Sequence, residues 1–188
     1  TGAAATNAAV AARSDGGFTI VAEHFGLWGS QDIFTRTYSA TSSATDTILN
    51  TAGNDLLDGG AGNDIYNFAR GSGRDVIADN DGTPGNSDLL SCGATIASSQ
   101  LWFRHVSNDL EVSIIGTSDK VTIQDWYSGS AHHVEQFKTA DNKVLLDTRV
   151  ENLVQAMASF SPPAAGQTTL PQTYQNTLAP VIAANWQS

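Results

Sequence analysis

The feature that most constrains this chain is a nine-residue pattern that recurs between residues 41 and 78. Its best copy, GGAGNDIYN at 59–67, matches the form G-G-x-G-x-D-x-U-x at every specified position, U being a large apolar residue. Fainter copies occupy 41–49 and 50–58, and the pattern returns at 71–77 after additional residues. The aspartates of these copies, each followed two residues later by a large apolar residue, are Asp46, Asp55, Asp64 and Asp75. Asp88 and Leu90 keep the same offset further on, which predicts one last, enlarged turn.

This spacing predicts a short parallel coil in which turns of six residues alternate with strands of three. Two repeats complete one coil, so the turns of Asp46 and Asp64 become neighbours, as do those of Asp55 and Asp75. Glycines in the turns adopt left-handed backbone angles that let carbonyl oxygens approach one another. The large apolar residue of each repeat is expected to face inward, and stacking is required because one coil buries only a thin apolar strip. We therefore expect a mainly β fold that contains a short parallel β-roll.

The charges of this segment indicate that a cation completes it. Residues 46–88 contain eight aspartates and no glutamate, with only Arg70 and Arg74 as bases, so without a cation the segment should repel itself open. Calcium takes roughly six to eight oxygen ligands and accepts carboxylates and carbonyls alike, which stacked turns supply. The alternative is that Gly-Asn-Asp strings are ordinary turn formers. The shared register of the aspartates and the apolar residues favours metal sites.

The residues before the repeats predict a linker followed by capping strands. Residues 1–12 are small and nearly featureless, which is typical of a linker. Residues 17–26 and 32–39 read as strands, separated by Gly26-Leu27-Trp28-Gly29. We expect these strands to cover the first coil, because an open end would expose a strand edge and an apolar strip.

The residues after the repeats predict a small antiparallel sheet and a helix. From residue 100 onward apolar residues alternate with polar ones, as at Leu110, Val112 and Ile114. A helical stripe follows and ends at the two prolines 162 and 163; its members are Val150, Leu153, Val154, Met157 and Phe160. The chain is thus expected to divide into a linker with capping strands at 1–40, repeats at 41–90, a flanking β region at 91–148, and a short C-terminal helix with a tail at 149–188.

The order of residues after the repeats resembles a known family. The strings DL at 109–110, VTIQDWY at 121–127 and VEQF at 134–137 resemble the haemolysin-type calcium-binding related domain that follows the repeats in RTX proteins. With the repeats, the resemblance covers roughly residues 41–146 and implies Ca²⁺ as the cofactor. It also implies that backbone carbonyls of the turns join the carboxylates as ligands. The predicted metal ligands are Asp46, Asn50, Ala52, Asp55, Gly59, Ala61, Asp64, Arg70, Ser72, Asp75, Asp79, Asp81 and Asp88. Among them, Asp79 and Asp81 either complete a terminal calcium site or cap a turn.

The resemblance also implies a role within a larger secreted protein. In RTX proteins the C-terminal region carries an uncleaved signal for type I secretion, and the segments 150–166 and 178–188 resemble such an end. We expect a calcium-binding module that folds outside the cell and supports export through the type I machinery. One alternative is a calcium-dependent adhesin or polysaccharide-binding module with a surface glycan or host ligand. Another is an enzyme whose active site precedes residue 1.

Composition and absent motifs argue against several other classes. The chain has 9 basic and 19 acidic residues, a net charge of −10, which disfavours a nucleic-acid surface. It has no apolar run long enough to span a membrane, and its single cysteine, Cys92, allows no internal disulfide and is expected to be buried. The motifs H-E-x-x-H and G-x-S-x-G are absent, and His132 and His133 are expected to be solvated, so we predict no catalytic site in this segment. The aromatic residues predicted as core or cap residues, with a sugar-stacking face as the alternative, are Trp28, Trp102, Trp126 and Tyr127.

Overall fold

The computed structural model describes residues 45–48, 50 and 52–188 in full and residues 7–12, 18–25 and 31–38 as backbone. Over these residues the fold is mainly β, with two sheets and, at its C-terminal end, two α-helices. The strands are β1 (Asn7–Ala12), β2 (Phe18–Phe25), β3 (Gln31–Tyr38), β4 (Thr47–Ile48), β5 (Leu56–Asp58), β6 (Ile65–Phe68), β7 (Arg74–Ile77), β8 (Leu89–Cys92), β9 (Leu101–Val106), β10 (Asp109–Ile114), β11 (Lys120–Ile123), β12 (Gln136–Lys138) and β13 (Val144–Leu146), and the helices are α1 (Asp147–Met157) and α2 (Gln172–Asn185).

The strands of the repeats alternate between the two sheets along the chain. Strands β4, β6 and β8 belong to a five-stranded sheet with the order β13-β12-β8-β6-β4. Strands β5 and β7 belong to an eight-stranded sheet with the order β1-β2-β3-β5-β7-β11-β10-β9. Strands two repeats apart pair in parallel, β4 with β6, β6 with β8, and β5 with β7. The chain therefore returns to the same sheet after every second repeat.

The large apolar residue of each repeat lies in the hydrophobic core. Successive side chains of a strand point to opposite faces, so a short strand buries one side and leaves the other half-exposed. Each of these core residues is at most 1% exposed: they are Ile48, Leu57, Tyr66, Ile77 and Leu90. Burial of each such side chain contributes about 1.5–3 kcal/mol, and the prediction that these residues face inward is confirmed.

The strands before the repeats extend the eight-stranded sheet. The predicted strands at 17–26 and 32–39 correspond to β2 and β3, which pair antiparallel, and β3 then pairs in parallel with β5. The prediction of a linker is wrong for Asn7–Ala12, which forms β1 and pairs antiparallel with β2. This alanine-rich segment lacks the polar–apolar alternation that marks a strand, and the backbone of β2 determines its conformation instead. Trp28 lies outside the described residues.

The hairpins after the repeats join two different sheets, so the prediction of one small antiparallel sheet is wrong. Strand β10 pairs antiparallel with both β9 and β11, and β11 pairs in parallel with β7. Strands β12 and β13 form a second hairpin, and β12 pairs in parallel with β8. The last repeat strand of each sheet would otherwise present an open edge of unpaired backbone groups. Each hairpin covers one such edge, so both sheets continue into the C-terminal region.

Two helices cover the C-terminal part of the core. Helix α1 buries Val150, Leu153, Val154 and Met157, as the helical stripe predicted. The sequence did not predict α2, which contains Pro180 and buries Leu178 and Ile182. The two helices are joined by a hydrogen bond of 2.8 Å from Asn152 Nδ2 to Asn185 Oδ1. In the part of the chain that the structure describes, neither helix has the length and apolar character needed to cross a membrane.

Candidate metal-binding site

The aspartates of the repeats are buried, although carboxylates are seldom buried without a partner. Each lies just before or at the start of a repeat strand, at the end of the preceding turn. All five are at most 2% exposed: Asp46, Asp55, Asp64, Asp75 and Asp88. Burial of this many like charges requires donors or cations close by, because desolvation disfavours each ionised carboxylate.

Backbone amides of neighbouring turns supply some of those donors along the five-stranded sheet. The Asp46 N–H donates to Asp64 Oδ1 at 2.8 Å, and the Asp64 N–H donates to Asp88 Oδ1 at 2.6 Å. The Asp88 N–H then donates to Glu135 Oε2 at 2.7 Å. We call this series of four residues, Asp46, Asp64, Asp88 and Glu135, the carboxylate ladder. In each step an amide is capped by the carboxylate of the next turn on the same side.

A shorter series lies along the eight-stranded sheet. The Asp55 N–H donates to Asp75 Oδ1 at 3.1 Å, and Asn50 Nδ2 donates to Asp75 Oδ2 at 2.6 Å. Here the series ends differently, because both oxygens of Asp119 accept hydrogen bonds from the preceding turn. Gly71 N–H donates to Oδ2 at 2.9 Å and Gly73 N–H donates to Oδ1 at 3.1 Å. Asp119 thus accepts one amide hydrogen bond on each of its oxygens.

Glycines allow these turns to stack closely. Gly73 has φ +97°, and a Cβ at this position would overlap the carbonyl oxygen of Gly53 in the adjacent turn. A Cβ on Gly59 would overlap Asp64 Oδ2 and would lie 2.7 Å from the Tyr66 hydroxyl oxygen. These contacts leave no room for a side chain at either glycine.

The turn after β7 holds a buried carboxylate whose second oxygen has no hydrogen-bond donor. The Gly59 N–H donates to the Tyr66 hydroxyl at 3.0 Å, and this hydroxyl donates to Asp79 Oδ1 at 3.2 Å. Asp79 is only 2% exposed, and its Oδ2 accepts no hydrogen bond. Its carboxyl group lies against that of Asp88 and, when protonated, donates a hydrogen bond to it. Burial, and then the charge of Asp88, raise the pKa of Asp79 to about 9. A proton or a cation is therefore required between these two carboxyl groups at neutral pH.

Burial also raises the pKa of other carboxyl groups in the turns. The pKa of Asp75 rises to about 6, chiefly by burial, while the hydrogen bonds from Asn50 and Asp55 oppose the rise. The pKa of Asp88 is raised for the same main reason. These directions mean that the calcium-free fold holds protons where a bound cation would remove them.

The oxygen atoms available in these turns fit a hard divalent cation such as Ca²⁺. Besides Asp79 Oδ2, two buried amide oxygens accept no hydrogen bond, Asn50 Oδ1 and Asn86 Oδ1. Over the described residues, no group of three or more His, Cys, Asp or Glu side chains comes together as a metal centre. An ion held here would therefore take part of its ligands from backbone carbonyls, which calcium accepts.

The remaining predicted ligands lie in the turns that these carboxylates border. Asn50 and Ala52 precede β5, Gly59 and Ala61 lie between β5 and β6, and Arg70 and Ser72 lie between β6 and β7. Their role as ligands stays a prediction. Asp81 acts as a turn cap, since its Oδ2 accepts the Gly62 N–H at 3.0 Å and its Oδ1 accepts the Thr83 N–H at 2.9 Å.

Sequence reasoning missed Glu135 and the two histidines near it. Glu135 stands immediately before a strand, as the repeat aspartates do, and that position was its only signal. The expectation of solvated histidines is wrong, since both are half-buried. His132 Nδ1 lies 2.9 Å from the carbonyl oxygen of Asp79, and His133 stacks on Trp126 with Nδ1 3.0 Å from Asp147 Oδ2. Because a carbonyl only accepts, His132 Nδ1 is the donor.

The other single-residue predictions concern the core. Cys92 is a buried free thiol, as predicted. Trp102 and Trp126 are at most 4% exposed and belong to the hydrophobic core, so these two indoles form no exposed sugar-stacking face.

A comparison with known protein families matches part of this region. The model of the haemolysin-type calcium binding protein related domain matches residues 109–149. The match spans β10 to β13 and includes both Asp119 and Glu135, the residues in which the two series end. It supports the resemblance to RTX-like calcium-binding proteins over these residues and implies that the module binds Ca²⁺.

Proposed function

We propose that this chain is a calcium-dependent folding module, a short parallel β-roll that forms when Ca²⁺ enters its turns outside the cell. In this proposal it serves the export of a larger protein by type I secretion, with the C-terminal segment as the signal, and it contributes no catalysis of its own. The observation that carries the proposal is the buried carboxylate pair Asp79 and Asp88, whose Asp79 Oδ2 accepts no hydrogen bond.

The energetics of calcium binding support a folding switch. Extracellular modules bind calcium with dissociation constants of about 10⁻⁴ to 10⁻³ M, so cytosolic calcium would leave the turns empty. At roughly tenfold excess over the dissociation constant, each site adds ~1.4 kcal/mol to the stability of the fold, and three sites add ~4 kcal/mol. Typical domains are stable by ~5–15 kcal/mol, so a contribution of this size decides whether the module folds.

Repulsion between the like charges of the turns favours the unfolded state when calcium is absent. Without a cation, burial and the charges of Asp88 and Asp64 disfavour ionisation of Asp79. An unfolded chain relieves this repulsion because each carboxylate returns to water. The unfolded form is also the form that passes through a narrow exporter.

A calcium titration of the chelator-stripped protein, followed by far-ultraviolet circular dichroism, tests the proposal. We expect a cooperative rise in β signal near 10⁻⁴ to 10⁻³ M calcium. Magnesium should not replace calcium, because it demands near-octahedral geometry and gives up its water reluctantly. A protein already folded in chelator and indifferent to calcium would refute the proposal.

A pair of matched variants locates the response in the turns. Asp64 is fully buried in the ladder, whereas Asp141 lies in the turn between β12 and β13 and accepts hydrogen bonds from Ser98 and Thr139. We expect Asp64→Ala to raise the calcium midpoint well above that of Asp141→Ala. Equal midpoints for the two variants would show that the ladder does not hold the ion.

A further inference from the structure

A cavity of about 620 Å³ lies between the short 3₁₀ helix Ser98–Gln100, the segment 168–170 and helix α2. Its volume falls within the range of about 300–1,000 Å³ that is usual for sites that bind small molecules. Its walls are mainly apolar and include Ala97, Leu170 and Ile182. None of its lining residues belongs to the repeats or is a predicted calcium ligand. The cavity is therefore separate from the candidate metal-binding turns.

Hydrogen bonds join the walls of this cavity to one another. Gln100 Nε2 donates to the carbonyl oxygen of Thr168 at 3.0 Å, which links the 3₁₀ helix to the segment 168–170. Gln175 Nε2 donates to the carbonyl oxygen of Leu170 at 2.6 Å, which links the same segment to α2. The walls are thus fixed before any ligand enters, and a preformed site loses less conformational entropy on binding.

Trp186 lines the cavity and has an indole N–H without a partner. The side chain is only 4% exposed, and its Nε1 has no hydrogen-bond partner among the described residues. A buried indole N–H usually has an acceptor, so this one is an exception. Because the indole group only donates, the missing partner must be an acceptor.

Lys143 is the one charged residue that lines the cavity. An antiparallel bridge between Val144 and Gln187 places the side chains of Lys143 and Trp186 on the same side of the two extended segments. Lys143 Nζ donates to Ser188 Oγ at 2.8 Å, and among the described residues no carboxylate forms a salt bridge with it. An ammonium group has three donors, so Lys143 can also bind an anion.

We propose that this cavity binds a small amphipathic carboxylate, such as a medium-chain fatty acid. The apolar part of the ligand packs against Leu170 and Ile182. The carboxylate accepts the indole N–H of Trp186 and pairs with Lys143. This activity goes beyond calcium-dependent folding, because it requires only that the C-terminal part of the chain is folded.

Octanoate is the probe, titrated into the full chain at saturating calcium, with octan-1-ol and octylammonium as its neutral and cationic analogues. The four tryptophans of the chain give four indole signals in a ¹H–¹⁵N correlation spectrum, and Trp186→Phe identifies the signal of Trp186 by its loss. We expect octanoate to shift this signal. We expect it to bind about two- to fivefold more tightly than octan-1-ol, the gain that one partly exposed ion pair provides.

Two neighbouring alanines of α2 provide matched variants. Both are exposed, but Ala183 lines the cavity and Ala184 does not. Ala183→Leu should weaken octanoate binding by roughly tenfold or more, the effect of one methylene group too many in an apolar pocket. Ala184→Leu should keep the wild-type affinity. Lys143→Gln should lower the affinity for octanoate to that for octan-1-ol.

Three outcomes would overturn this inference. They are no binding of octanoate at millimolar concentration, equal octanoate affinities of Ala183→Leu and Ala184→Leu, and binding of octan-1-ol or octylammonium as tight as that of octanoate. Circular dichroism shows whether each variant is folded. If Ala183→Leu does not fold, Lys143→Gln decides, and an unchanged octanoate affinity in that variant would count against the site.

Discussion

The hydroxyl group of Tyr66 is the most informative single group to remove. This side chain is fully buried, and its hydroxyl accepts the Gly59 N–H and donates to Asp79 Oδ1. Tyr66→Phe keeps the ring in the core but leaves a buried amide without an acceptor and a buried carboxylate oxygen without a donor. Each group left unsatisfied costs roughly 1–3 kcal/mol, so the expected loss is roughly 2–6 kcal/mol. A loss of this size is a large fraction of the ~5–15 kcal/mol that holds a typical domain folded.

Urea unfolding at saturating calcium measures this loss, because the wild-type fold is then fully populated. Tyr127→Phe is the matched control, since the Tyr127 hydroxyl donates to Glu151 at the surface. Its removal should change the unfolding free energy by less than about 1 kcal/mol, as water replaces the partner. If Tyr66→Phe is as stable as this control, the hydroxyl does not link the two turns and the reasoning fails.

Three further predictions concern the turns and the core. In urea unfolding, Gly73→Ala should destabilise the protein by about 1–3 kcal/mol more than Gly71→Ala. Both glycines have positive φ, but of the two only Gly73 lies where a Cβ would overlap a carbonyl oxygen. Equal losses of stability in the two variants would show that backbone strain alone determines the cost. Lowering the pH from 9 to 6 should stabilise the calcium-free fold, because burial raises the pKa of Asp79 to about 9 and that of Asp75 to about 6, so that this fold binds protons that the unfolded chain has lost. Far-ultraviolet circular dichroism in chelator should therefore show more β signal at pH 6 than at pH 9, and equal signals at the two pH values would contradict the assignment. Cys92 is buried with its pKa raised to about 12, so a thiol reagent should label it only after calcium is removed or urea is added, and rapid labelling in calcium would argue against the packed core.

The repeat could be predicted from the sequence because its physical cause is local. A glycine-rich turn, an aspartate and an inward apolar residue recur at fixed offsets, so Leu57, Tyr66 and Ile77 were placed in the core correctly. The hydroxyl contacts of Tyr66 were not predictable, since the pattern asks only for a large apolar residue at that position. They depend on Asp79, which belongs to a later turn.

Long-range pairing explains most of what the sequence did not indicate. Strand β1 depends on the backbone of β2, and the hairpins of β11 and β12 depend on the edges of two different sheets. Helix α2 was missed because Pro180 suggests a break, although it lies within the helix. Glu135 and Asp119 are single acids whose significance appears only when their partners, distant in sequence, are brought beside them.

The hydrogen bonds of the ladder all run in one direction along the chain. In every step the donor amide precedes its acceptor carboxylate in sequence, from Asp46 to Asp64, to Asp88 and finally to Glu135. A chain that is still attached to the ribosome lacks the acceptor for its most recent turn until a later segment has been synthesised. The most recently synthesised turn therefore cannot complete its hydrogen bond at once. The last acceptor, Glu135, is synthesised only with the domain that follows the repeats. The order of synthesis thus sets the order in which the rungs of the ladder become able to form, and the rung between Asp88 and Glu135 is the last.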